Sequence, residues 1–241
     1  MNKKFDSLTI NDFCNSFLGY GNPNGAYWFI GMEEGGGNSY EDIEDRLTAW
    51  TRNNKNTYED LYSFHQNINI TNLFSHPPKI QATWSKLIRI ILSNKAIKNI
   101  TSSEIGTYQV DRLGRNKDET LLLELLPLPS PSTSHWIYGD YSDLPYLNSR
   151  KLYRNFMLPI RIGLIKTQVK KYLPKVIVFY GLSYKKHWEE ISDVKYTEVM
   201  EGLFIGKDDS TIYFISKHPA ARGVTNNYFD SIGEMISEKL N

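Results

Sequence analysis

With 241 residues, 40% of them hydrophobic and 23% charged, the chain has the length and balance of a globular protein able to bury a large core. No apolar run is long enough to span a bilayer, and Met1-Asn-Lys-Lys-Phe5 leads into no signal-peptide core, so a cytoplasmic protein without membrane attachment is expected. The single cysteine, Cys14, excludes a disulfide framework, a Cys-type structural zinc site and an iron–sulfur cluster, and it falls among Ile10, Phe13, Phe17 and Leu18 at core spacing.

Thr9 to Leu18 reads as an amphipathic helix, and Tyr20 to Gly25 as a turn into a first strand, Tyr27 to Gly31. That strand ends in Glu33-Glu34 and then Gly35-Gly-Gly37, so a buried strand delivers an acidic pair beside glycines that allow positive φ and close approach to a ligand. Helices are predicted at Tyr40 to Thr51, Tyr58 to Gln66 and Ile80 to Leu92, the last with Trp84, Leu87, Ile88 and Ile91 on one face. Arg112 to Asp118 is loop-like. Thr120 to Leu126 is a strand that runs into a proline-rich stretch able to continue neither helix nor ladder.

A long helix is expected from Asn148 to Leu173, kinked or split at Pro159. Lys175 to Gly181 is a continuous apolar run typical of a strand buried on both faces, with a helix from Ser183. Glu198 to Ile205 and Thr211 to Ser216 read as paired strands around Gly206 to Asp209, and Asn227 to Leu240 closes the chain as a helix. Strands alternating with helices predict an α/β fold with a mostly parallel sheet covered on both faces and ligands at the carboxyl ends of its strands. No repeat or low-complexity linker divides the chain, so residues 1–241 are expected to form one domain.

Charge is segregated. The net charge is only +1, yet Arg150 to Trp188 holds ten Lys or Arg and no Asp or Glu, which leaves both flanks acidic. Such a stretch is an electrostatic footprint for phosphate; its alternative is a solvated lysine-rich helix face.

Four strand ends carry polar groups in an order that resembles the uracil-DNA glycosylase superfamily. Gly31-Met-Glu-Glu-Gly35 resembles the first motif, a glycine followed two residues on by the Asp or Asn that positions the attacking water. Leu121-Leu-Leu-Glu124 resembles the strand bearing the base-reading Asn, Val176 to Ser183 the third strand with its Trp-Gly-Ser ending, and Ile215 to Gly223 the final strand with its His-Pro-Ser-Pro-Leu loop. The four segments cover roughly a fifth of the chain and fall in the family's order on four predicted strands. The resemblance implies a three-layer α/β/α fold with a mostly parallel four-stranded central sheet, no cofactor or metal, and a monomer acting on double-stranded DNA with the target base flipped out.

It also implies roles. Glu33, or Glu34 if the register slips by one, would stabilise the sugar cation and aim water at C1′, while His218 would donate a hydrogen bond to the departing base. Gly31, Met32, Gly35 and Glu124 would line the base site, with Tyr40 or Trp50 stacking on the extruded base. Ser183, Lys185, Lys217, Pro219, Arg222, Arg150 and Arg154 would face DNA, Arg222 filling the vacated stack or holding a phosphate. Three departures bear on the substrate. Glu33 replaces the water-positioning Asp or Asn, Glu124 replaces the base-reading Asn, and Gly35 stands where uracil-specific members place a Tyr against C5. An ionised Glu124 would accept from the exocyclic amine of cytosine, and loss of the C5 wall would admit a substituent; a protonated Glu124 would instead still read uracil, and the glycines could serve only a turn. The expected substrate is therefore a hydroxymethylated or glucosylated cytosine of phage DNA, and the role antiphage defence. Uracil- or mismatch-directed repair and a catalytically silent module binding modified DNA remain alternatives. A nucleotide hydrolase using Gly35 to Gly37 as a phosphate loop lacks the P-loop lysine.

Overall fold

A computed structural model describes residues 3–240, so Met1, Asn2 and Asn241 lie outside it. Strand β2 (Tyr27–Glu33) is central, flanked in parallel by β4 (Thr120–Leu126) on one side and β5 (Val176–Tyr180) on the other, with β8 (Ile212–Ser216) parallel beyond β5. All five residues of β5 are buried, as a strand covered on both faces requires. The sheet does not stop at these four strands. Strand β1 (Gly19–Gly21) pairs antiparallel with β4 and parallel with β3 (Tyr58–Glu59), and beyond β8 lie β7 (Leu203–Lys207) and β6 (Thr197–Met200), both antiparallel to their neighbours. The fold is thus α/β with a mixed eight-stranded sheet among the described residues, which corrects the expectation of a mostly parallel four-stranded one.

The extra strands have local causes. Gly19 and Gly21 adopt φ of +150° and +114°, and a Cβ at Gly21 would collide with the Thr120 carbonyl, so turn-like residues here serve a close strand pairing. The segment read as one strand, Glu198 to Ile205, folds back on itself at Glu201-Gly202, where Gly202 takes φ +70°. Tyr58-Glu59 pairs with β1 before Asp60 caps helix α3 (Leu61–Asn67) through Ser63 N–H.

Helices α1 (Ser7–Ser16), α2 (Tyr40–Arg52) and α4 (Ala82–Asn94) fall where periodicity places them, and α5 (Ser102–Asp111) and α6 (Tyr138–Tyr141) are additional. Helix α7 (Arg150–Tyr172) runs through Pro159 without a break, because Tyr153, Met157, Arg161 and Ile165 are buried on either side of it. Helix α8 (Lys185–Ser192) and α9 (Asn226–Leu240) follow β5 and β8. No described helix is long and apolar enough to cross a membrane.

Chain order sets the site. From β2 the chain passes to β4 on one side, and from β5 to β8 on the other, so the connections diverge between β2 and β5. A crevice opens at such a switch point beyond the carboxyl ends of the strands, and there Glu33, Glu34 and Tyr180 are delivered.

Candidate active site

Gly31 pairs with Glu124 across β2 and β4, and the Tyr180 side chain reaches over from β5. A Cβ at Gly31 would run into the Tyr180 hydroxyl and lie 2.5 Å from Glu124 Oε2, so glycine is required for these two groups to meet. The Tyr180 hydroxyl donates to Glu124 Oε1 at 2.9 Å, while Oε2 is buried without a partner. Burial, only partly offset by that hydrogen bond, pushes the Glu124 carboxyl up to about 8, so it holds its proton at neutral pH.

Glu34 lies across a narrow slot of about 30 Å³ shared with Glu124, Tyr180, Tyr20 and Trp84, room for a water molecule. The Tyr20 hydroxyl donates to Glu34 Oε2 and Arg46 Nη1 to Oε1, each at 3.0 Å. Arg46 is buried and bridges on to Asp42 at 3.1 Å, and these carboxylates keep its guanidinium charged despite burial. Behind them His65 is buried, its Nδ1 bonded to the Leu61 carbonyl at 2.8 Å, which leaves Nε2 as the acceptor nitrogen; burial lowers its pKa and keeps it neutral. Gly36 and Gly37 take φ of +113° and +68°, and Asp42 accepts from Gly37 N–H at 2.7 Å, so two of the three glycines turn the chain around Arg46. Gly35 alone has open space around its Cβ direction.

Glu33 takes a different course. Its Oε1 pairs with Arg150 Nη2, and Arg150 Nη1 donates to the Ser132 carbonyl at 3.3 Å. Glu33 Oε2 and Arg150 Nε are both buried without partners. Of the adjacent carboxylates, Glu34 is the one that faces Glu124.

His218 follows β8, its ring centroid 5.6 Å from that of Tyr180 in an edge-to-face arrangement. Ala220 N–H donates to His218 Nδ1 at 3.1 Å, which places the proton on Nε2 of a ring exposed at the surface, and partial desolvation lowers its pKa. The segment is anchored where the Tyr228 hydroxyl accepts from Lys217 N–H at 3.0 Å and donates to the Gly202 carbonyl at 2.7 Å. Pro219 is buried and Arg222 exposed. Lys217 pairs with Glu201 at 3.0 Å, Lys185 Nζ lies 3.6 Å above the Phe204 ring, Arg154 lies 5.8 Å from the Tyr184 ring, and Ser183 is exposed in the turn after β5.

Two aromatic residues expected to stack on a base have other employment. Trp50 is wholly buried, its indole N–H donating to the Asn56 carbonyl at 2.7 Å, and Tyr40 stacks on Phe5 with centroids 4.7 Å apart. Met32, within β2, is buried in the core cluster and does not line the slot. Tyr20, Arg46, His65 and Tyr180 complete the site without a sequence signal of their own: Tyr180 lies in an apolar run, Arg46 and His65 on helices, and Tyr20 in what reads as a turn. Among the described residues no cluster of three or more His, Cys, Asp or Glu is placed to hold a metal ion. Compared with models of protein families and with curated proteins, the chain matches none.

Proposed function

We propose that the chain is a DNA glycosylase that hydrolyses the N-glycosidic bond of a C5-substituted cytosine, leaving an abasic site. The observation that carries this reading is the pair of carboxyl groups facing each other at the switch point, Glu34 ion-paired with Arg46 and Glu124 protonated. A carboxyl group that keeps its proton beside a carboxylate held in an ion pair suits an acid and an anion acting on one bond. Glu34 stabilises the sugar cation and orients water at C1′, the role that the sequence resemblance offers to Glu33 or Glu34. Glu124 meets the base edge, its protonated carboxyl donating to N3 of cytosine and accepting from the exocyclic amine. His218, with its proton on Nε2, donates to an oxygen of the leaving base. The slot admits a base only when its mouth opens, and Gly35 leaves space for a C5 substituent. A defence role against phage DNA carrying such cytosines, in a bacterial cytoplasm, follows from that substrate.

One observation favours a second reading. A protonated Glu124 offers a donor and an acceptor as an Asn does, and so also fits uracil. Duplexes carrying uracil or a glucosylated cytosine, treated with the wild type and with Gly35→Tyr and then with alkali, separate the two. Strand breaks at the enlarged cytosine that Gly35→Tyr abolishes support the first reading. Breaks only at uracil support the second, and binding without breaks supports a silent module.

A further inference from the structure

The pair Arg150–Glu33 is an ion pair that fails to satisfy either partner. Arg150 spends Nη2 on Glu33 Oε1 and Nη1 on the Ser132 carbonyl, and its Nε is buried with no acceptor. Glu33 uses one oxygen, and its other is buried with no donor. Both side chains are close to seven-eighths buried, at 13% and 12% exposed. A buried polar atom left unpaired is destabilising, so the contact offsets part of what its charges gain. Arg150 opens the basic helix α7, where the helix dipole favours an anion, with Arg154 one turn further on and Lys151 exposed beside it.

We propose that Glu33 is an intramolecular competitor for phosphate: it holds Arg150 in the free protein, and a phosphodiester of bound DNA takes its place. Two phosphate oxygens accept from Nε and Nη2 together, the parallel fork that a guanidinium presents to phosphate, so the idle Nε gains the acceptor it lacks. Glu33, released, turns its carboxylate to water. The exchange makes phosphate contact at Arg150 conditional, so loosely held anions do not occupy the approach to the slot. The inference rests on the DNA-binding part of the proposed function, not on base release.

The test is a double-mutant cycle of affinity for a short fluorescein-labelled DNA duplex, read by fluorescence anisotropy for the wild type, Glu33→Gln, Arg150→Met and the double variant. Glu33→Gln keeps the side chain's size and removes the competing charge. It is expected to tighten binding about tenfold, the equivalent of one charge-assisted hydrogen bond. In the Arg150→Met background the same change is expected to alter affinity less than about twofold, since the cycle isolates the pair. Tightening of equal size in both backgrounds would reduce Glu33 to a general surface charge and overturn the proposal, as would weaker binding by Glu33→Gln. A second readout does not depend on Arg150→Met folding: the Arg150 Nε–H resonance of 15N-labelled wild-type protein is expected to move on adding duplex, and a fixed resonance at saturation overturns the exchange. Base release with no coupling in the cycle sinks this inference alone; coupling without base release sinks the glycosylase reading alone; absence of DNA binding sinks both.

Discussion

Glu124 ties stability to pH. Its pKa is raised from 4.5 to about 8 in the folded chain by burial, so between those values the folded chain keeps a proton that the unfolded chain has released. The stability it contributes is therefore full below pH 4.5 and is lost as pH rises towards 8. Glu124→Gln, which cannot ionise, is expected to flatten that fall, seen as urea midpoints that diverge from wild type with rising pH. Parallel profiles would contradict the protonated state. Gly31→Ala is expected to cost about 1–3 kcal/mol by forcing Tyr180 and Glu124 apart, measured by the same denaturation. Glu34 was legible as a polar group just past an apolar run and Glu124 as the one polar residue inside another. Their partners were not. Arg46 lies on a helix rich in acidic residues and reads as part of a solvated face, and Tyr180 reads as one more apolar residue of a buried strand. The choice between Glu33 and Glu34 depends on which of two adjacent side chains meets Arg150, a contact 117 residues away that no local pattern encodes.

Helix α7 holds the site from behind. Its Arg161 is fully buried and donates to the carbonyls of Phe17 at 2.7 Å, Glu124 at 2.9 Å and Leu125 at 3.0 Å, joining the end of α1 to the end of β4. Burial lowers its pKa to about 10, still well above neutrality, so the guanidinium stays charged. Arg161→Met leaves three carbonyls without that donor, at about 1–3 kcal/mol each, and is expected to lower stability by several kcal/mol in chemical denaturation. An unchanged midpoint would contradict the role. The outer face of α7 and α8 faces solvent with Lys151 and Lys186. Reversing both charges is expected to weaken DNA binding equally for all sequences and to reduce its salt slope by about two, because phosphate contacts set affinity without reading bases. The long helix and the buried strand β5 were legible from periodicity and an apolar run. Strands β1 and β3, three and two residues long, are too short to show a period of two; the glycines of β1 read as a turn, and Tyr58-Glu59 reads as the start of the helix that follows.

At the scale of the whole molecule, the four parallel strands that bear the polar ends were readable from alternation and order, and the switch point follows from their connections. On the antiparallel side the β7–β8 pair was readable as strands joined around Gly206 to Asp209, but β6 and β1 were not, because Gly202 divides one segment into two strands and Gly19 and Gly21 conceal another. That arrangement puts Glu34 opposite Glu124 in a slot large enough for water, where we propose that a base is cleaved from DNA. The most direct measurement is mass-spectrometric detection of free base released from matched duplexes containing cytosine, uracil, hydroxymethylcytosine or glucosylated hydroxymethylcytosine, with wild type beside Glu34→Gln. Release of the enlarged cytosine by the wild type is expected, and Glu34→Gln is expected to bind the same duplex with base release lowered at least about a hundredfold. No released base from any duplex, or release by Glu34→Gln at the wild-type rate, would contradict it.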